Sequence, residues 1–287
     1  MNLFTIARNE KTGAIIWSEG QKQYISTEYV EKDKTLKELA EEFQTQPQSI
    51  RNLLRKMNIT ITNKKIRNYP RNSEFFNKID KAEKAYWLGL FYADGTVSSK
   101  TNQIALGLKD KEHIEKFKAA IGATNNKITI THDNRFSKEC ILYTFTIKDK
   151  ELHDDLIKFG CVPNKTSVLE LHIPNIPEEY KWDFVRGYFD GDGCISWSKA
   201  NNRYYISWVG NQYLLEDIRL LCGKEKVSLR SNIKSKKIKE FRLNGQKDVL
   251  KILQKMYKNA SKETSLDRKA IKVNSCLQSL GASPLNL

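Results

Sequence analysis

One segment of this chain occurs twice. Residues 86–98 read YWLGLFYADGTVS and residues 184–196 read FVRGYFDGDGCIS. Aligned without gaps, they share Gly89/Gly187, Phe91/Phe189, Asp94/Asp192, Gly95/Gly193 and Ser98/Ser196. A repeat of this kind commits a chain to two similar units, because each copy brings its own pattern of apolar faces to bury. The stretches downstream of the two copies are also alike. After the first, strand-like stretches at 96–108 lead to a helical run from Lys111 to Ile121 that stops at Gly122. Strands at 126–132 and 139–147 come next, then a helix from Asp149 to Phe159. After the second, strands at 194–209 precede a helical run from Gln212 to Cys222 that stops at Gly223. Strands at 227–233 and 237–243 lead into a helix from Lys247 to Tyr257. Period-2 and period-3.6 apolar spacing carry these assignments. Each half reads α-β-β-α-β-β-α, so the expected class is α+β: two tandem halves, 81–170 and 171–287, in a pseudo-two-fold domain.

Within the repeated helix, Gly89 and Ala93 lie four apart, as do Gly187 and Gly191. Residues at that spacing share one helix face, and small ones let two backbones approach closely. Trp87, Leu90, Phe91, Val185, Tyr188 and Phe189 can bury the rest of the contact. Packing the two stripes together brings the helix C-termini side by side. Asp94 and Asp192 sit there, each followed by a glycine suited to a left-handed helix stop. An aspartate at a helix C-terminus opposes the helix dipole at a cost of about 0.3–1 kcal/mol, and two of them also repel. Local rules broken twice at matching positions point to a function. A divalent cation beside the carboxylates offsets both costs. Oxygen ligands with no His or Cys nearby favour Mg²⁺ over zinc, and such ions activate water in phosphodiester chemistry.

Charge points the same way. Lys and Arg number 49 against 34 Asp and Glu, a formal net charge of +15. On a chain whose 39% apolar residues can fill a core, that excess favours a polyanionic partner, nucleic acid above membrane. The longest notable apolar run, Ala85 to Ala93, is too short to span a bilayer, and MNLFTIARNEK has no secretory pattern. A soluble intracellular protein is expected, in the cytoplasm of a bacterium or phage-infected cell or in an organelle. The five cysteines include no CxxC pair and only four histidines accompany them, which speaks against structural zinc.

An N-terminal module is expected over 1–62. Residues 1–30 mix short apolar patches with turn residues and receive no assignment. Thr35 and Glu38 form a capping-box pattern ahead of Leu36, Leu39, Ala40 and Phe43. Pro47 opens a second helix whose apolar face is Ile50, Leu53 and Leu54, leaving Gln48, Ser49, Arg51, Asn52 and Arg55 for another surface. Two short helices joined this way, at about 35–58, resemble a helix-turn-helix whose second helix enters a major groove. A basic linker over 63–80 follows. Its NKKIRNYPRN stretch offers Lys64, Lys65 and Arg67 to phosphates.

WLGLFYADG (87–95) and VRGYFDGDG (185–193) fill the nine positions of the LAGLIDADG motif, and the chain resembles a single-chain, two-motif LAGLIDADG homing endonuclease over about its last 205 residues. The resemblance implies saddle-shaped antiparallel sheets lying in the DNA major groove, with the motif helices as the interface between halves. It implies a monomer with internal pseudo-symmetry that breaks both strands of a long, nearly asymmetric target and leaves short 3′ overhangs. Asp94 and Asp192 match the catalytic metal-binding acids, with Gly95 and Gly193 ending the helices at the metal site. Mg²⁺ is the implied cofactor, Mn²⁺ a substitute, and Ca²⁺ an ion that binds without supporting cleavage. Tyr92 stands where the second copy has Asp190, a position that varies in the family. A basic residue per half is also implied. Lys165 in GCVPNKTS matches one, and aligning Leu152 with Val249 and Leu156 with Leu253 places Lys262 in NASKETS opposite it, with Lys269 as runner-up. Gln103, Lys127, Arg135, Arg203, Tyr205, Arg230, Asn232 and Lys239 are strand or near-strand candidates for base and phosphate contacts, on faces the sequence leaves undecided. The Met1 start and PLNL end, without splice-junction residues, suggest a free-standing chain inserted in no intein. Double-stranded DNA is the expected partner. Two alternatives use the same fold: an RNA maturase acting on intron RNA, and a non-cutting DNA-binding regulator.

Overall fold

The computed structural model describes residues 3–32, 34–61, 70–133, 140–163, 170–232, 235–285 and 287. Lys64, Lys65, Arg67, Arg135 and Lys165 lie outside the described residues. Two compact units are formed, Met1–Asn68 and Tyr69–Leu287.

The first unit opens with a short antiparallel ribbon, β1 (Ala7–Arg8) with β2 (Ile15–Ile16), followed by helices α1 (Glu19–Val30), α2 (Leu36–Glu42) and α3 (Pro47–Lys56). The Thr35 hydroxyl accepts from the Glu38 amide while the Glu38 carboxylate accepts from the Thr35 amide, so the capping box starts α2 as its sequence predicts. Gln44, at φ 46°, turns the chain from α2 into α3. Ile25, Tyr29, Leu39, Phe43, Ile50 and Leu54 form the core, each buried. Helix α1 carries no sequence assignment because half of its inward face is polar. Gln21 Nε2 donates to the carbonyls of Leu3 and Thr5, and buried Glu28 pairs with Lys34 at 2.6 Å.

The second unit contains the repeat. Helix α4 (Ala82–Asp94) runs without a loop into β3 (Gly95–Val97), then β4 (Gln103–Leu108), α5 (Lys111–Ala120), β5 (Ile128–Asp133), β6 (Cys140–Lys148) and α6 (Lys150–Lys158). The second copy matches it: α7 (Lys181–Asp192), β7 (Gly193–Ser198), β8 (Arg203–Gly210), α8 (Gln212–Leu221), β9 (Arg230–Asn232), β10 (Ser235–Leu243) and α9 (Gln246–Met256). A further helix, α10 (Asp267–Ser279), has no counterpart in the repeat. The sheets share one antiparallel order, β3-β4-β6-β5 and β7-β8-β10-β9. Their registers also coincide. Gly95 pairs with Leu106 and Leu106 with Phe145, as Gly193 pairs with Trp208 and Trp208 with Phe241.

Each sheet turns one face to the helices. Ile104, Leu106, Phe145, Ile206, Trp208 and Phe241 are fully buried there, each contributing about 1.5–3 kcal/mol over an exposed position. Gly122 and Gly223, at φ 67° and 68°, stop α5 and α8 in the left-handed region. Gly95 and Gly193 depart from that expectation. Their φ values of −75° and −94° are extended, because each helix passes straight into a strand. Glycine is needed for space instead: a Cβ would fall 2.3 Å from Phe91 Cδ1 at Gly95 and 2.1 Å from Phe189 Cδ2 at Gly193.

Candidate functional site at the paired helix ends

Helices α4 and α7 pack parallel with their backbones in contact. A Cβ on Gly89 would lie 2.0 Å from the Phe184 carbonyl oxygen, and one on Gly187 would lie 1.9 Å from that of Tyr86. Further along, a Cβ on Gly191 would meet Ala93 Cβ at 2.2 Å and Asp94 Oδ2 at 2.7 Å. The small-residue stripe therefore does what its spacing allows. Asp94 and Asp192 end their helices beside each other, Asp94 half-buried and Asp192 exposed. Tyr188, whose hydroxyl donates to the Val209 carbonyl at 2.8 Å, feels both charges. Burial raises its phenol well above the ordinary value, and Asp192 and Asp94 raise it further.

Among the described residues no cluster of three or more His, Cys, Asp or Glu side chains is gathered to hold a metal. What the helix ends offer is oxygen alone: two carboxylates and the carbonyls that follow them. The glycine at 191 leaves open the space into which Asp94 reaches. That donor set suits a hard divalent cation and not zinc.

A buried polar network lies behind Asp192. Tyr86 of α4 donates to Asp190 Oδ2 of α7 at 2.8 Å, and the Leu266 amide donates to the same oxygen at 3.0 Å. His113 Nε2 stands 2.7 Å from the Tyr86 hydroxyl. Since that hydroxyl gives its proton to Asp190, the imidazole donates to it, and its buried Nδ1 has no partner among the described residues. Burial holds His113 down at about 3 and raises the Asp190 carboxyl. Lys269, on α10, donates to the carbonyls of Phe189 and Gly193, the latter at 2.7 Å. Burial pushes its ammonium down to about 8, against the pull of Asp190, Asp94 and Asp192. Of the two lysines the sequence offers in this half, Lys269 is thus the one at the motif helix end, whereas Lys262 is exposed beside Glu263. Lys269 also caps the α7 carbonyls with a cation, the favourable sign at a C-terminus.

The sheet candidates divide by face. Gln103 alternates with buried Ile104 and so lies on the open face, and Lys127 is exposed just ahead of β5. Arg203 and Tyr205 alternate with Ile206, and Arg230 pairs with Glu240 beside buried Phe241, which places all three on the open face of the second sheet. Asn232 ends β9. Lys239 does not join them. It is in phase with Phe241, on the helix side, where its Nζ donates to Ser231 Oγ at 3.1 Å and it lines a cleft with Gln212 and Glu216 of α8. Sequence reasoning passed over Glu240 and Arg242, although Phe241 between them marks the alternation. In the first unit, Gln48, Asn52 and Arg55 are exposed along α3, with Ser49 and Arg51 half-buried, while Gln48 donates to Asn52 at 2.8 Å.

No curated protein sequence matches this chain. Among solved structures it is similar to the LAGLIDADG meganuclease I-AabMI bound to uncleaved DNA, at 14% identity, covering 70% of this chain and 90% of that one with a TM-score of 0.42. It is similar to I-SmaMI bound to an uncleaved DNA target in the presence of calcium ions, at 11% identity, 68% and 91% coverage and a TM-score of 0.42. Full-length WhiA from Thermatoga maritima gives 13% identity and a TM-score of 0.40, covering 71% of this chain and 64% of that one. Residues 81–154 and 179–259, more than half of the chain, match the family described as LAGLIDADG-like domain. With two motif helices, two matching sheets and that match over both halves, the chain belongs to the LAGLIDADG family.

Proposed function

We propose that this protein is a site-specific DNA endonuclease that makes a Mg²⁺-dependent break in both strands of a long, nearly asymmetric duplex, leaving short 3′ overhangs. The observation that carries the reading is the meeting of Asp94 and Asp192, two carboxylates set side by side where each opposes its own helix dipole. Asp94 and Asp192, with the backbone oxygen at Gly95, would hold the metal, while the Gly193 carbonyl takes the Lys269 ammonium. Bound there, Mg²⁺ supplies the Lewis acidity for a water nucleophile and a leaving oxygen in phosphodiester hydrolysis. Lys269 adds positive charge at the end of α7, where a phosphate would sit against two carboxylates. The open sheet faces lie along the duplex grooves with Gln103, Lys127, Arg203, Tyr205 and Arg230 toward it. The N-terminal unit extends the target through α3, inserted as a recognition helix with Gln48, Asn52 and Arg55 foremost.

The test is to incubate the full chain with a randomised duplex library and Mg²⁺ and to sequence the cut ends. The wild type is expected to yield one family of cut sites. Asp94→Asn and Asp192→Asn are each expected to lower double-strand cleavage by about 100-fold or more while binding persists. Cutting that survives either change would remove the acids from the chemistry. Wild-type binding without cutting would leave a DNA-binding member of the family and overturn the endonuclease reading.

A further inference from the structure

The shared register lets the two open faces be compared position by position. Gly95, Leu106 and Phe145 correspond to Gly193, Trp208 and Phe241, so Gln103 corresponds to Tyr205, Ala105 to Ser207, and Thr146 to Arg242. The faces are chemically unlike. In the first sheet these positions are a carboxamide, a methyl and a hydroxyl. In the second, Arg242 is held on two sides. Its Nε and Nη2 donate to Glu240 Oε1 at 2.9 and 2.7 Å, and its guanidinium carbon sits 4.3 Å from the centroid of the Tyr205 ring.

Those contacts fix the plane of the guanidinium and leave part of it unused. Arginine has five N–H donors in a planar fork, of which Glu240 takes two along one edge. The Nη1–Nη2 edge remains. Both side chains keep contact with solvent, with exposures of 28% for Arg242 and 20% for Glu240. A fork already ordered by an ion pair and a ring loses little freedom when it takes up a second planar partner. In a major groove the partner matching that edge is guanine, through O6 and N7, whereas a glutamine carboxamide matches adenine and methyl groups match thymine.

We propose that Arg242 reads a guanine through the face of the second sheet, so that the target carries a G·C pair there and favours A·T pairs under the first sheet. The inference rests on the chain binding duplex DNA, and it adds the base composition of each half-site. The experiment retains duplexes from a randomised library on the full-length protein in calcium buffer and sequences them. One half of the wild-type consensus is expected to hold a guanine preferred about 5- to 150-fold. Arg242→Ala should reduce that preference toward unity and leave the other half unchanged. Arg242→Gln puts a carboxamide in place of the fork, so it should move the preference at that position from guanine toward adenine. It also serves as the test if the alanine variant folds poorly. A consensus identical in wild type and Arg242→Gln, or G·C preferred equally in both halves, would overturn the proposal while leaving DNA binding intact. Recovery of no enriched sequence would overturn the DNA reading, and this inference with it.

Discussion

Replacing Gly187 with alanine tests whether the site depends on backbone contact between the motif helices. The added Cβ would stand 1.9 Å from the Tyr86 carbonyl oxygen and 2.9 Å from the Leu90 amide nitrogen. Neither can rotate away. Relief to an ordinary separation of roughly 3.5 Å requires the helices to part by about 1.5 Å, and a gap of that order removes much of the dispersion energy along the seam. Taken alone, Gly→Ala within a helix gains up to about 1 kcal/mol. Overpacking against rigid backbone outweighs that gain, and a net loss of about 3 kcal/mol is expected. For a unit of this size the melting temperature should fall by roughly 6–12 °C. Gly107→Ala is the control, since its Cβ would meet nothing nearer than Thr144 Oγ1 at 3.5 Å. Gly191→Ala probes the same seam beside the site. Its Cβ would meet Ala93 Cβ, fixed to the backbone, at 2.2 Å and Asp94 Oδ2 at 2.7 Å, so melting and cleavage should both fall. Thermal unfolding by calorimetry, checked for two-state behaviour, measures the first effect and plasmid cleavage the second. A Gly187→Ala protein melting within about 2 °C of wild type would refute the contact.

Two buried groups give further expectations. His113 is held neutral at about 3, whereas the unfolded chain takes up its proton near 6.5, so stability should fall as pH drops between those values, by about 2 kcal/mol at pH 5. His113→Gln should flatten that limb in urea titrations at pH 7 and pH 5, and an equal loss in both proteins would exclude His113 as its source. Arg186 is fully buried, bonded to Asp183 at 2.7 Å and to the Met256 carbonyl at 2.6 Å. Arg186→Met strands Asp183 and should cost about 3–5 kcal/mol, with Arg186→Met/Asp183→Leu recovering part of it. Strict additivity in that double-mutant cycle would mean the pair does not act as one.

Much of the second unit is legible in the sequence because its elements are amphipathic and occur twice. The second copy confirms each assignment in the first, down to the glycines at 122 and 223 that stop equivalent helices. Legibility fails where that doubling ends. Helix α10 carries apolar residues at 270, 273 and 277, in line with Leu266 at its N-cap, a readable helical stripe, but it lies beyond the repeat. Helix α1 hides because Gln21 and Glu28 occupy inward positions, Gln21 reaching back to the Leu3 and Thr5 carbonyls and Glu28 pairing with Lys34 just past the helix end. The aspartate pair follows from spacing alone. The network behind it does not, since nothing in the order of residues says that His113, Tyr86, Asp190 and Leu266 will meet.

Lys269 bears on why the helices end in aspartate at all. A lysine on the Phe189 and Gly193 carbonyls already offsets the dipole at the end of α7, so no metal is required there for stability. Asparagine at either position would keep the side-chain shape and remove the repulsion between the two carboxylates, at the loss of one attraction for the buried Lys269 ammonium. If the acids serve only the fold, Asp94→Asn and Asp192→Asn should lower the melting temperature in metal-free buffer. If they serve a cation, both variants should melt at or slightly above the wild type there, by up to about 1 kcal/mol at low salt. Addition of Mg²⁺ should then raise the wild type alone. A ligand at 100 times its dissociation constant stabilises by about 2.7 kcal/mol, a shift of roughly 5–11 °C for a unit of this size. This readout involves no DNA and no cleavage. An equal response of wild type and both variants to Mg²⁺ would mean that Asp94 and Asp192 are not where the cation binds, whatever their effect on cutting.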